Sequence, residues 1–216
     1  MMPPLAKDVI QPGHTAVVTG ASSGIGKAAC LHFAKAGMHV FMVDIDEAPL
    51  RATYELVISE AQKVAQEDTQ QWIRFKIVDV ANEAKMRKLA NEVFEQSGGQ
   101  CHLLMNNAGT GLGGGAVTTD METVHKVMGV NVYGPMHGCL AFVPKMKENS
   151  SSGSGTPGII INTGSKQGIV GLLMPLLVFL AHFLSLLLTP FCFLVSDYAS
   201  RQFNLQHEQV RAQDVH

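Results

Sequence analysis

The chain has 216 residues, 46% hydrophobic and 16% charged, with 16 basic against 18 acidic side chains and a formal net charge of −2. That length suits a single domain with a sizeable core, and the composition is too apolar for a disordered chain. The near-neutral balance leaves no electrostatic footprint for nucleic acid, so a nucleic-acid partner is not expected.

The opening MMPPLAKDVIQPGHTA holds three prolines and no apolar leader core, which does not read as a signal peptide. From His14 onward, short β-branched runs alternate with longer amphipathic ones. Segments 14–19 (HTAVVT), 38–43 (MHVFMV), 72–78 (WIRFKIV), 102–105 (HLLM) and 158–162 (GIIIN) are predicted as buried strands. Between them, 24–36, 47–67, 82–97 and 120–148 are predicted as helices. This alternation predicts an α/β fold: a Rossmann-type doubly wound parallel sheet with helices on both faces. The stretch 148–158 (ENSSSGSGTPG) reads as a surface loop before the fifth strand. Four cysteines, Cys30, Cys101, Cys139 and Cys192, lie far apart with no CxxC pair, so reduced thiols and a cytoplasmic location are expected.

The average composition conceals a break. No Asp, Glu, Lys or Arg occurs in the thirty positions from Gln167 to Ser196. The predicted organisation is therefore a nucleotide-binding domain over 13–169, an apolar helix over 170–195 and a polar tail over 196–216. Three accounts of the apolar stretch stand side by side. It exceeds the roughly 20 apolar residues that a bilayer core demands, so it could span or associate with a membrane. It could instead pack on the sheet as a buried helix. Or it could be a shifted reading frame or retained intron, which the abruptness of the change at Ile169 favours as its origin. An apolar tail unmatched to the sheet is also expected to lower solubility.

TGASSGIG (19–26) lies between the first predicted strand and the first predicted helix. Gly20, Gly24 and Gly26 allow a tight turn, close approach of a pyrophosphate, and close packing of helix on sheet. The helix start supplies free N–H groups and the positive end of its dipole. Asp44 closes the second strand, where a carboxylate accepts both ribose hydroxyls of NAD and repels the 2′-phosphate of NADP. The plainer alternatives are a strand–helix connector for the glycines and a helix-capping role for Asp44, with Asp46 competing for it.

These residues resemble the short-chain dehydrogenase/reductase family, through a series of motifs at matching intervals over about 13–169. TGASSGIG is similar to the family's TGxxxGxG motif, which places Ser22, Ser23 and Ile25 with the three glycines against the cofactor. Asp79 and Val80 resemble its adenine-contacting pair. NNAG (106–109) has the letters of its motif after the fourth strand, where the resemblance puts Asn106 along the cofactor, together with Ala108 and Gly109. Asn131 in GVNVYGP stands where the family carries an active-site Asn, and INTGSKQG (161–168) resembles the segment with its catalytic serine, here Ser165. Separately, each has a plainer role: Asn131 bonding its own helix backbone, Ser165 in a turn, Asp79 capping the helix near Asn82.

The resemblance implies hydride transfer between NAD(H) and a small-molecule alcohol or ketone, with NAD preferred over NADP and no metal. It also implies a Tyr general acid/base and a Lys four residues later that lowers the Tyr pKa from near 10. Neither is found. Four residues after Tyr54, Tyr133 and Tyr198 stand Ile58, His137 and Gln202, and the expected positions hold Val178 and His182. The further strands, the substrate lid and the helix through which family homo-oligomers assemble have no counterpart in 169–216, so a family-type homo-oligomer is not expected. The alternative to an active oxidoreductase is thus a catalytically inactive NAD-binding fragment.

Overall fold

The computed structural model describes residues 6–64, 71–111, 120–151 and 158–164. After a short helix α1 (Ala6–Val9), strands and helices alternate: β1 (Thr15–Thr19), α2 (Gly24–Lys35), β2 (His39–Asp44), α3 (Glu47–Gln62), β3 (Ile73–Ile77), α4 (Glu83–Gln96) and β4 (Leu103–Asn106). A helical rod follows, made of α5 (Met121–Met128), a π-helical turn (Gly129–Tyr133) and α6 (Gly134–Ser151), and then β5 (Ile159–Asn162). All five strands pair in parallel, in the order β3-β2-β1-β4-β5.

The period-two alternation of each strand divides the core into two layers. Ala16, Val18, Val40, Met42, Leu103 and Met105 face α2 and α3, where Phe33, Leu50 and Val57 are buried. Val17, Phe41, Val43 and Leu104 face α4 and α6, meeting Met86, Leu89, Val93 and Phe142. Both faces of β1 are covered, which is why VV in the middle of TAVVT carries no polar residue.

The structure departs from the sequence reading in three places. WIRFKIV, expected to be buried, is an edge strand: Arg74 and Lys76 are exposed, and they bond Gln96 and pair with Glu92 on α4. Charged side chains on an edge discourage pairing with another chain. The single helix expected over 120–148 is interrupted by the π-turn, in which the Gly134 N–H bonds the Gly129 carbonyl. Its C-terminal part also continues to Ser151, into the stretch read as loop. The helix expected over 47–67 ends at Gln62. Among the described residues, Cys30, Cys101 and Cys139 form no disulfide, and burial pushes the thiols of Cys30 and Cys101 up to about 12. No helix among the described residues is long and apolar enough to cross a membrane. The apolar stretch 169–195, the polar tail and Ser165 lie outside the described residues.

Candidate functional site

In an open parallel sheet, ligands bind beyond the carboxyl ends of the strands where the strand order reverses. Here that point lies between β1 and β4. The turn leaving β1 carries the glycine-rich motif. Gly20 and Gly24 adopt φ of +66° and +51°, the left-handed region that side chains disfavour. Gly26 is required for a different reason: a Cβ there would stand 2.1 Å from the Gly20 carbonyl oxygen. Ser23, Gly24 and Ile25 are exposed at the mouth of the turn, and Ser23 occupies the N-cap of α2 without a side-chain capping bond. Ser22 is fixed from both sides. Its N–H donates to Asp44 Oδ2 (2.9 Å), and its carbonyl accepts from the buried Thr53 hydroxyl (2.8 Å).

Asp44 therefore faces the glycine turn across the ends of β1 and β2. Its other oxygen accepts from the N–H groups of Ile45 (2.8 Å) and Asp46 (3.4 Å), before the helix begins. Asp46 takes the N-cap position of α3, without a side-chain bond of its own. The capping alternative for Asp79 is filled by another residue. Asn82 caps α4 through Lys85 N–H, while Asp79 accepts from Ala81 N–H (2.9 Å) in the turn after β3. Val80 is buried beside it.

The NNAG segment does two jobs. Asn107 donates its side-chain amide to the Thr19 (3.1 Å) and Gly20 (3.3 Å) carbonyls, closing β4 against the glycine turn. The Thr19 hydroxyl accepts from the N–H groups of Asn107 (2.9 Å) and Ala108 (3.0 Å) and faces the Met105 carbonyl at 3.4 Å. Asn106, expected along a cofactor, is 3% exposed. Its side chain donates to Asn162 on β5 (2.9 Å), and its Oδ1 lies against Gly138, where a Cβ would come within 2.2 Å. Asn106 thus ties β4, β5 and α6 together. Ala108 is half-buried and Gly109 exposed at the crevice.

Asn131 sits in the π-turn, and its side chain does not bond its own helix. Oδ1 accepts from Thr110 N–H (2.8 Å) and Nδ2 donates to the Thr110 carbonyl (2.8 Å). This paired bond holds the loop after β4 at a fixed distance from the rod. π-turns inside α-helices recur at functional sites, since the inserted residue re-aims its neighbours. The residues that sequence reasoning missed are Thr19 and Thr53; for Asn107 the NNAG resemblance implies a sheet-stabilising role.

Gly20, Ser22, Gly24, Gly26, Asp44, Asp79, Val80, Ala108 and Gly109 stand at or just after the carboxyl ends of β1 to β4, and Asn131 joins them through Thr110. The glycines let a phosphate approach the backbone where a Cβ would obstruct it, so the residues present fit a dinucleotide. No group of three or more His, Cys, Asp or Glu among the described residues is placed to hold a metal ion.

A sequence model of the short chain dehydrogenases matches residues 14–175. The chain belongs to the short-chain dehydrogenase/reductase family. It is 34% identical over 161 residues to an uncharacterized oxidoreductase of Thermotoga maritima, covering 74% of this chain and 57% of that protein. It is 32% identical over 161 residues to the polyprenol dehydrogenase of Mus musculus, covering 74% of this chain and 44% of the other. Among solved structures, a short-chain dehydrogenase/reductase from Burkholderia phymatum in complex with NAD is similar, with a TM-score of 0.63 and 32% identity over 74% of this chain and 52% of that one. A metagenomic short-chain oxidoreductase in complex with NADP gives a TM-score of 0.61 and 28% identity over 74% of this chain and 65% of that one. The chain spans less than two-thirds of the length of each of these relatives. The fold is that family's Rossmann fold, and two of these solved structures hold NAD and NADP respectively.

Proposed function

We propose that this chain binds NAD(H) in preference to NADP(H), and that its site belongs to the chemistry of hydride transfer to or from an alcohol or ketone. The observation that carries the cofactor preference is the Asp44 carboxylate, placed against the Ser22 N–H at the rim of the glycine turn. A carboxylate there accepts ribose hydroxyls and repels an added phosphate. Gly20, Ser22, Ser23, Gly24, Ile25 and Gly26 would hold the pyrophosphate. Asp79 and Val80 would wall the adenine, and Ala108 and Gly109 would border the nicotinamide half. The dinucleotide, when bound, supplies the hydride donor or acceptor. Asn131 sets the position of the loop beneath it through Thr110.

A second reading, binding without turnover, rests on one specific observation. None of the three tyrosines in these 216 residues has a lysine four positions later. A missing general acid/base typically costs 10²–10⁴ in rate. Of the two catalytic positions that the family resemblance retains, Asn131 bonds Thr110 in the loop after β4, and Ser165 lies outside the described residues. Titrating the full chain with NADH and NADPH by fluorescence, then assaying alcohols and ketones, separates the two. Binding of NADH about tenfold tighter than NADPH is expected. Equal affinities would refute the preference, and measurable turnover would refute the silent reading.

A further inference from the structure

The π-turn has a geometric consequence for the turn after β3. Its i to i+5 bond brings Gly134 over Gly129, so both glycines line one side of the rod. That side presses on residues 80 and 81. A Cβ on Gly129 would stand 3.2 Å from the Ala81 Cβ, and one on Gly134 would stand 2.8 Å from Val80 Cγ2. Three residues further along, His137 Nδ1 lies 2.9 Å from the Val80 carbonyl oxygen. A carbonyl only accepts, so Nδ1 carries the proton and donates. Asp79 completes the turn by accepting from Ala81 N–H.

This turn is also the neighbour of the acid. The Val78 N–H donates to the Asp44 carbonyl (2.8 Å), so residues 78–80 rise beside the end of β2. A base attached to a ribose held by the Asp44 carboxylate falls against that wall. We propose that His137 is a positioning residue for the adenine end of the site: its Nδ1–H on the Val80 carbonyl, with Gly134 against the Val80 side chain, fixes the wall against which the base lies. The inference rests on the dinucleotide reading above and adds a residue that touches no ligand itself.

The test uses the full chain and ADP-ribose, measured by calorimetry at a temperature where every variant is folded. Replacing the imidazole by leucine (His137→Leu) removes the donor while filling the space, and should weaken ADP-ribose about five- to tenfold, the loss a single hydrogen bond supports. Asparagine (His137→Asn) returns an N–H near the Nδ1 position and should restore affinity to within twofold. A purely structural role would lower the melting midpoint while leaving affinity in the folded protein unchanged, and that result overturns the proposal. So does a weakening that asparagine fails to restore. If His137→Leu does not fold, His137→Ala removes the same donor and takes its place, with the same expected five- to tenfold weakening and the same overturning result. Failure of the unaltered chain to bind either ADP-ribose or NADH would instead refute the dinucleotide reading itself.

Discussion

Replacing Thr19 by valine removes one hydroxyl and almost no volume, yet that hydroxyl is the junction between β1 and the loop leaving β4. Thr19 is 2% exposed, and its oxygen accepts from the N–H groups of Asn107 and Ala108 while facing the Met105 carbonyl. Valine leaves two backbone donors without that acceptor. An unsatisfied buried donor costs about 1–3 kcal/mol. Both donors lie on half-buried residues that water can approach, which argues for the lower part of the range, so the expected loss is about 2–4 kcal/mol. That is a large fraction of the roughly 5–15 kcal/mol that holds a domain folded. Thr19→Ser keeps the oxygen and loses one methyl, at about 1 kcal/mol. Urea unfolding of the full chain gives both stabilities, and amide exchange at Asn107 and Ala108 reports the two donors directly. If Thr19→Val lies within 0.5 kcal/mol of the original, or Thr19→Ser is equally damaging, the hydroxyl is not the junction described.

Other outcomes follow from the same geometry. Gly26→Ala would place its methyl 2.1 Å from the Gly20 carbonyl and should abolish NADH binding by fluorescence titration; retained affinity would show that the cradle can widen. Asp44→Ser should weaken NADH about tenfold and bring NADPH to equal or better affinity, and an unchanged ratio would remove the acid from cofactor choice. His102 is buried, stacks on His14 and accepts the Thr15 N–H at Nδ1, a bond that needs the neutral ring. Burial, with His14 and then His39 adding like charge, pushes it down to about 4. The unfolded chain thus takes up this proton first. The contribution is whole above about pH 6.5 and falls away as the pH drops toward 4, by up to about 3 kcal/mol. His102→Asn retains an acceptor and cannot titrate, so the stability difference between the two proteins should change by about 2–3 kcal/mol between pH 7.5 and 4.5. A flat difference would refute the assignment.

What could be read in advance was whatever a local period carries. TAVVT and HVFMVD announce covered strands by unbroken β-branched and apolar runs, and TGASSGIG announces its turn because only glycine tolerates the backbone and the closeness found there. What could not be read depends on partners far along the chain. IRFKI carries charges at alternate positions, which mark an exposed face, but only the sheet order shows that the strand lies at the edge. Gly129 and Gly134 sit inside a segment that reads as one helix, and only the structure shows them packed against Ala81 and Val80 in the turn after β3. Asn106 and Asn107 are adjacent and alike, and strand alternation sends one into the sheet and the other toward Thr19. The resemblance separates their roles, but the partners, Asn162 for one and Thr19 and Gly20 for the other, lie far along the chain.

The strand order has a further consequence, for how the chain comes off the ribosome. β1 is flanked by β2 and β4, yet the residues joined by the Thr15–His102 bond at the base of the β1–β4 pair lie 87 positions apart. At about 5–20 residues per second, roughly 4–17 s separate the synthesis of the two strands. For that interval one rim of a strand buried on both faces waits without its neighbour. Slowing translation between β3 and β4 should therefore lengthen the window in which the unpaired rim can aggregate.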